Sequence, residues 1–294
     1  MRSLGPILTV LAAIVVLWYA AAVLLNAKWT YDQAARAGEE VTLAAVLADT
    51  MAQERPVLPA PHQIAAAFWD GTFGEKVTSK KSLVYHGWVT MQATLLGFAL
   101  GTLVGIAMAM GIVRFRVLDM SLMPWAIISQ TIPIVAIAPM IVVLSNKLGL
   151  GEALGMENRL VSKAIIAAYL SYFPVLVGMI KGLRSPEQGQ LDLLATYGAS
   201  EGQAFRKLRL PASVPYLFAS LKVAIAAALV GAIVGELPTG AIEGLGARML
   251  VASQFGQPMM MWASLFAAAI LAGLLIVAVG QIQRVVDRRM GARP

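Results

Sequence analysis

A chain of 294 residues that is 59% hydrophobic, 13% charged and has a mean hydropathy of +0.73 is too apolar for a soluble domain, where about 25% of residues carry charge. It contains no cysteine, which excludes disulfides, thiolate nucleophiles and cysteine metal ligands. The formal charge of +7 comes from bases scattered along the chain, a poor match to the continuous basic patch that nucleic-acid binding requires.

Six apolar runs have the roughly 17 to 25 residues that cross a bilayer as helix: 7–25, 91–112, 123–144, 164–180, 214–234 and 262–282. Helical length in every run argues against a β-barrel, whose strands alternate over about ten residues. The first run follows Arg2 and is longer than the h-region of a signal peptide, about 7 to 15 residues, so it reads as a retained span. With the N-terminus inside, the inner segments hold twelve basic and five acidic residues and the outer segments ten and eleven. This excess of inner bases places both termini in the cytoplasm.

Between the first two spans lies a mixed-charge outer segment. Residues 31–54 have helical composition, whereas 55–61 contain three prolines and are expected to be extended or turned. His62 and His86 fall here without a nearby second set of ligands and indicate no metal site. The second span carries Gly97, Gly101 and Gly105 four residues apart, a spacing that lets helices approach closely. The third contains Gln130-Thr131-Ile132-Pro133 and then Ala138-Pro139. Each proline removes a helix hydrogen bond, and a broken membrane helix is tolerated where it is buried in protein or lines a cavity. Gln130, Thr131 and Pro133 are therefore candidates for a solute path, set against a simple packed kink. In the fourth span Tyr169, Ser171 and Tyr172 need hydrogen-bond partners at mid-membrane depth, supplied either by a path or by neighbouring helices. Lys222 in the fifth is long enough to snorkel to the inner surface. Glu236 stands before a glycine-rich turn and either orders the outer end, faces solute or is exposed.

The stretch 185–211 is the polar centre of this pattern. Ser185, Pro186 and Gln188 predict a helix start, Leu191, Leu194 and Ala195 its apolar face, and Gly198 its left-handed end. Ser200 and Gln203 predict a second start, Ala204, Phe205 and Leu208 a second apolar face, and Pro211 its close.

These residues carry a resemblance. Asp192, Leu193 and Leu194, then Gly198, then Leu208, Leu210 and Pro211 keep the spacing of the cytoplasmic loop of binding-protein-dependent ABC importer permeases, with Asp for Glu and Leu-Leu for Ala-Ala. Leu58-Pro59-Ala60-Pro61 resembles the segment before the transport core in the nitrate, taurine and sulfonate branch, which also handles pyrimidine precursors. The resemblance covers roughly 58–289. It implies an all-α permease with six transmembrane helices, made of a first helix and periplasmic segment (1–90) and a five-helix core (91–294) with its coupling loop at 185–211. It further implies a bacterial inner-membrane subunit paired with a second permease, two ABC ATPases and a periplasmic substrate-binding protein. Asp192, Leu194, Gly198, Ala199, Ser200, Phe205, Leu208 and Pro211 would then couple to the ATPase, and Gln130, Thr131, Pro133, Tyr169, Tyr172 and Glu236 would line the path. No phosphate loop is present, so ATP and magnesium would belong to the partner ATPase, with no cofactor on this chain. The alternative from another class is an ion-coupled secondary carrier. Only Lys222 and Glu236 could serve it, both near span ends. A membrane enzyme would need clustered His, Asp or Glu at membrane depth, which the sequence does not offer.

Overall fold

A computed structural model describes residues 4–290; Arg2 and Arg293, two of the bases used to orient the chain, lie outside the described residues. Five described helices are long and apolar enough to cross a membrane: Gly5–Ala37, Leu83–Arg114, Asn158–Leu183, Glu201–Glu236 and Pro258–Arg289. A bent pair, Arg116–Ser129 and Ile134–Lys147, makes a sixth if counted as one span. The chain is all-α, as the six apolar runs imply, but its helices overrun those runs. Polar residues at the ends, such as those of 26–37 and 283–289, continue the helical hydrogen bonding beyond the apolar core.

Contacts divide the chain into two units, one of residues up to 87 with 247–268, the other of 88–246 with the residues from 269 onward. In the first unit, α1 (Leu4–Ala37) is followed by α2 (Leu43–Ala52) and α3 (Pro61–Trp69). The proline-rich stretch between α2 and α3 is extended and clasped by α1. The fully buried Asn26 accepts from the Val57 and Leu58 amides at 2.8 and 3.2 Å and donates to the Leu58 carbonyl at 2.9 Å, while Trp18 Nε1 donates to the Pro59 carbonyl. One buried amide side chain thus satisfies three main-chain groups of a segment that prolines keep out of helix. Trp18 also packs edge-on against Trp262. On α2, the Gln53 amide and the Thr30 hydroxyl bond the Asp49 carboxylate and hold its pKa below the ordinary value.

In the second unit, the part of α4 (Leu83–Arg114) from residue 88 onward packs on α8 (Asn158–Leu183) through the predicted glycines. A Cβ on Gly101 would lie 2.8 Å from the Ala168 carbonyl oxygen, and one on Gly105 2.6 Å from that of Tyr172. The glycine face is therefore an intramolecular contact. Near the end of α4 an apolar cluster of Ala109, Ile112, Leu176, Met179 and Leu183 is joined by Phe205 and Leu210, so the core reaches the polar loop. The segment α5 (Arg116–Ser129) and α6 (Ile134–Lys147) turns through 104°, a sharper change than a kink. The Gln130 and Thr131 amides close tight turns onto the Ile127 and Ile128 carbonyls, and Pro133, extended at ψ 121° and without an N–H, starts a new helix. A single turn, α7 (Leu150–Leu154), leads into α8.

The loop after α8 contains α9 (Gln188–Thr196) and α10 (Glu201–Ala204), and α11 (Leu210–Glu236) follows. Two expectations are corrected here. The first helix starts two residues late, with Glu187 at the cap and Gln190 closing its box, because Ser185 instead closes the end of α8 through its amide and hydroxyl, both on the Gly182 carbonyl. Pro211 does not end the second helix. Residues 205–209 form a π turn in which the Leu210 amide reaches the Phe205 carbonyl, and the chain passes helically from Glu201 to Glu236. The wider turn admits the proline at the first turn of α11. A short helix not anticipated from the sequence, α12 (Leu245–Gln254), precedes α13 (Pro258–Arg289).

Candidate functional site: the helix–glycine–helix loop and the broken span

The loop is a helix, glycine, helix unit as its spacing predicts. Gly198 has φ +72°, its amide bonds the Ala195 carbonyl, and the Ala199 amide bonds that of Leu194, the return pattern that terminates a helix at a left-handed residue. A Cβ on Gly198 would meet nothing within 4 Å; the glycine is required by backbone conformation alone. Ser200 then caps the next helix, its hydroxyl accepting from the Gln203 amide while Gln203 Oε1 accepts from the Ser200 amide at 2.8 Å.

Leu194, Ala199, Phe205 and Leu208 are half-buried, whereas Asp192, Gly198, Ser200 and Pro211 are exposed. Asp192 is held by Gln188, whose amide donates to it at 2.9 Å. The large exposed residues of α9 and its end are Leu193 and Tyr197, the latter 80% exposed. Tyr197 was not a sequence candidate, because the motif spacing carries no signal at that position. Two ion pairs also escaped notice, since their partners lie far apart in sequence: Arg114, at the end of α4, pairs with Glu201, and Arg184 Nη2 with Asp119 Oδ2 on α5 at 2.8 Å. Both are solvent-exposed, so each adds little stability, but together they tie the loop and its approach to α4 and α5. Between α4 and the loop lies a cleft of about 750 Å³ bordered by Met110, Arg114, Asp192, Phe205 and Arg209.

Of the candidate path residues, the structure gathers three at the break. Tyr169 donates to the Ser129 carbonyl, the Tyr172 and Ser129 hydroxyls bond each other, and the Gln130 amide donates to Ser129 Oγ at 3.2 Å. The two tyrosine rings are 6.2 Å apart. Ser129, which links all three, was missed because a lone serine at a helix end has no pattern of its own. Thr131 and Pro133 are exposed at the corner, with the Thr131 hydroxyl on the Ile128 carbonyl. The hydrogen bonds of this cluster involve hydroxyl, amide and carbonyl groups only.

Glu236 belongs to a separate cluster. It is fully buried; Oε1 accepts from the Thr90 hydroxyl at 2.7 Å and Oε2 from the Gly246 amide at 2.6 Å, while Thr90 Oγ1 accepts from the Leu245 amide at 2.8 Å. A carboxylate and a hydroxyl thus cap the first amides of α12, where negative charge is favourable. Gly244, at φ +123°, leaves no room for a Cβ beside the Glu236 carboxylate. Among the sequence alternatives for Glu236, this geometry is that of an ordering group.

Comparison with known proteins adds identity to this geometry. Residues 101–292 match the family described as binding-protein-dependent transport system inner membrane component. A probable ABC transporter permease protein of Haemophilus influenzae is 36% identical over 64% of this chain and 72% of its own. The riboflavin transport system permease protein RibX of Chloroflexus aurantiacus is 29% identical over 79% of this chain and 80% of its own. The formylaminopyrimidine transport permease protein ThiX of Halalkalibacterium halodurans is 29% identical over 78% and 84%. The chain belongs to the binding-protein-dependent inner-membrane permeases of ABC transporters and is a transmembrane permease subunit rather than an ion-coupled carrier.

Proposed function

We propose that this subunit works in the cytoplasmic membrane with both termini in the cytoplasm, paired with a second permease, two ATPases that bind ATP and magnesium, and a periplasmic binding protein. The observation that carries the coupling role is the exposed loop bent at Gly198, which presents Asp192, Leu193 and Tyr197 outside the apolar spans. Closure of the ATPases displaces α9. Phe205 and Leu210, packed on the apolar cluster of α4 and α8, pass that displacement to the spans, with the Arg114–Glu201 pair beside them, and α5, joined to the end of α8 by Arg184–Asp119, ends at the 104° corner. Catalysis of ATP hydrolysis stays on the partner.

The solute path runs past that corner, with Gln130, Thr131, Pro133, Tyr169 and Tyr172 beside it and Glu236 holding the outer turn. Two aromatic rings and an uncharged set of donors and acceptors suit a small, flat, neutral heteroaromatic solute better than an inorganic anion. The names of the riboflavin and formylaminopyrimidine permeases among the relatives support the same preference. The test is purification of the chain from its native membrane in mild detergent, with mass spectrometry of what accompanies it. An ATPase at about one copy per permease is expected. A chain that emerges alone and moves solute in vesicles without ATP would overturn the reading.

A further inference from the structure

A second groove, of about 490 Å³, opens where the last turn of α8 meets α5 and the first turns of α11. Its rim is polar and basic. Lys181 is exposed, with its ammonium 5.9 Å from the centre of the Tyr216 ring and no hydrogen-bond acceptor among the described residues. Arg184 uses Nη2 on Asp119, which leaves its other guanidinium N–H groups without a partner among the described residues. Ser185 stands beside it. The wall below is apolar: Met123, Val177, which is 39% exposed, and Ile180. Among the lining residues Lys181 and Arg184 are basic and none is acidic, and Asp119 is paired with Arg184, so the rim carries net positive charge beside the apolar wall.

We propose that this groove is a binding site for an anionic phospholipid. The phosphodiester meets Lys181 and the open side of Arg184, the Tyr216 ring lies at the headgroup level, and an acyl chain follows Val177 and Met123. Basic pockets between helices on the cytoplasmic side of a membrane hold acidic headgroups in this way, and aromatic rings favour the same depth. A soluble anion would gain nothing from the apolar wall. The inference rests on the proposed topology, in which the loop end of α8 faces the cytoplasm.

The test uses the complex of the full chain with its co-purifying subunits, stripped of lipid and titrated with phosphatidylglycerol or phosphatidylcholine of identical acyl chains, and read by native mass spectrometry. One basic group near the surface is worth about a fivefold preference for acidic lipid. Wild type is expected to hold phosphatidylglycerol about fivefold or more over phosphatidylcholine, Lys181→Gln to lose most of that preference, and Lys181→Arg to keep it. Lys207→Gln, on the loop outside the groove, is expected to leave it unchanged. An unaltered preference in Lys181→Gln, or an equal loss in Lys207→Gln, overturns the site. So does displacement of the lipid by water-soluble glycerol phosphate at matching concentration, which would make the headgroup alone sufficient. The subunits retained by each variant are counted in the same spectra, so failure of the lipid site is distinguishable from failure of the transporter assignment.

Discussion

Single residues decide how the ends of these helices are held. Glu236 is the strongest instance, because its carboxylate, with Thr90, takes up amides at the start of α12 that would otherwise be buried without acceptors. Leaving such donors unsatisfied costs roughly 1–3 kcal/mol. Glu236→Ala is therefore predicted to lower unfolding stability in detergent by about that amount, and Glu236→Gln, which keeps an acceptor oxygen, by less. Equal stability of Glu236→Ala and wild type would show that the cap contributes nothing. The break tests a second residue. Tyr172→Phe keeps the ring and removes the hydroxyl that bonds Ser129, so assembly is expected to persist while the uptake rate changes several-fold. Unchanged kinetics and cargo preference would reduce Tyr172 to a packing residue.

At the scale of elements, the contact of α4 with α8 depends on absent side chains. Gly101→Leu would drive a side chain into the Ala168 carbonyl and Ser171, whereas Gly273 on α13 has nothing within 4 Å of its would-be Cβ. Overpacking costs typically about 1–3 kcal/mol, and more where the obstacle is backbone. The expected outcome is a sharp fall in folded, partner-associated protein for Gly101→Leu and little change for Gly273→Leu, measured by size-exclusion chromatography. The small-residue face was legible because three glycines at helical spacing signal close approach whatever the partner; that the partner is α8 was not, since spacing names one face only. The same limit explains the third span. Pro133 announced an interruption, but its 104° turn depends on where Gln130 and Thr131 find carbonyls, and Pro139 lies inside the continuous α6. Pro211 misled for a related reason. A proline can end a helix or be carried within one, as Pro139, Pro174 and Pro215 are here, and the π turn at 205–209 that leads into Pro211 has no local sequence mark.

For the molecule as a whole, what was readable is what is carried by local backbone chemistry, and the Gly198 turn is the clearest case. Spacing alone identified the left-handed residue, and φ +72° bears it out; the ion pairs to α4 and α5 lay beyond reach because they join residues 87 and 65 positions apart. This separation of causes makes Gly198 the best probe of coupling. Because a Cβ there would strike nothing, substitution acts through backbone conformation and not through sterics. Gly198→Ala must adopt left-handed geometry at a cost of about 1–2 kcal/mol, which the two flanking caps can absorb, so uptake is expected to fall only modestly. Gly198→Pro fixes φ near −65° and cannot make the turn at all. It is predicted to leave the spans assembled, since the loop lies outside them, while ATP hydrolysis by the partner continues without uptake. Measuring both rates on the same reconstituted complex tests the idea: uptake per ATP should drop at least tenfold in Gly198→Pro and less than threefold in Gly198→Ala. Parallel loss of both rates would point to a failure of docking or assembly, and a normal ratio in Gly198→Pro would remove this loop from the coupling path.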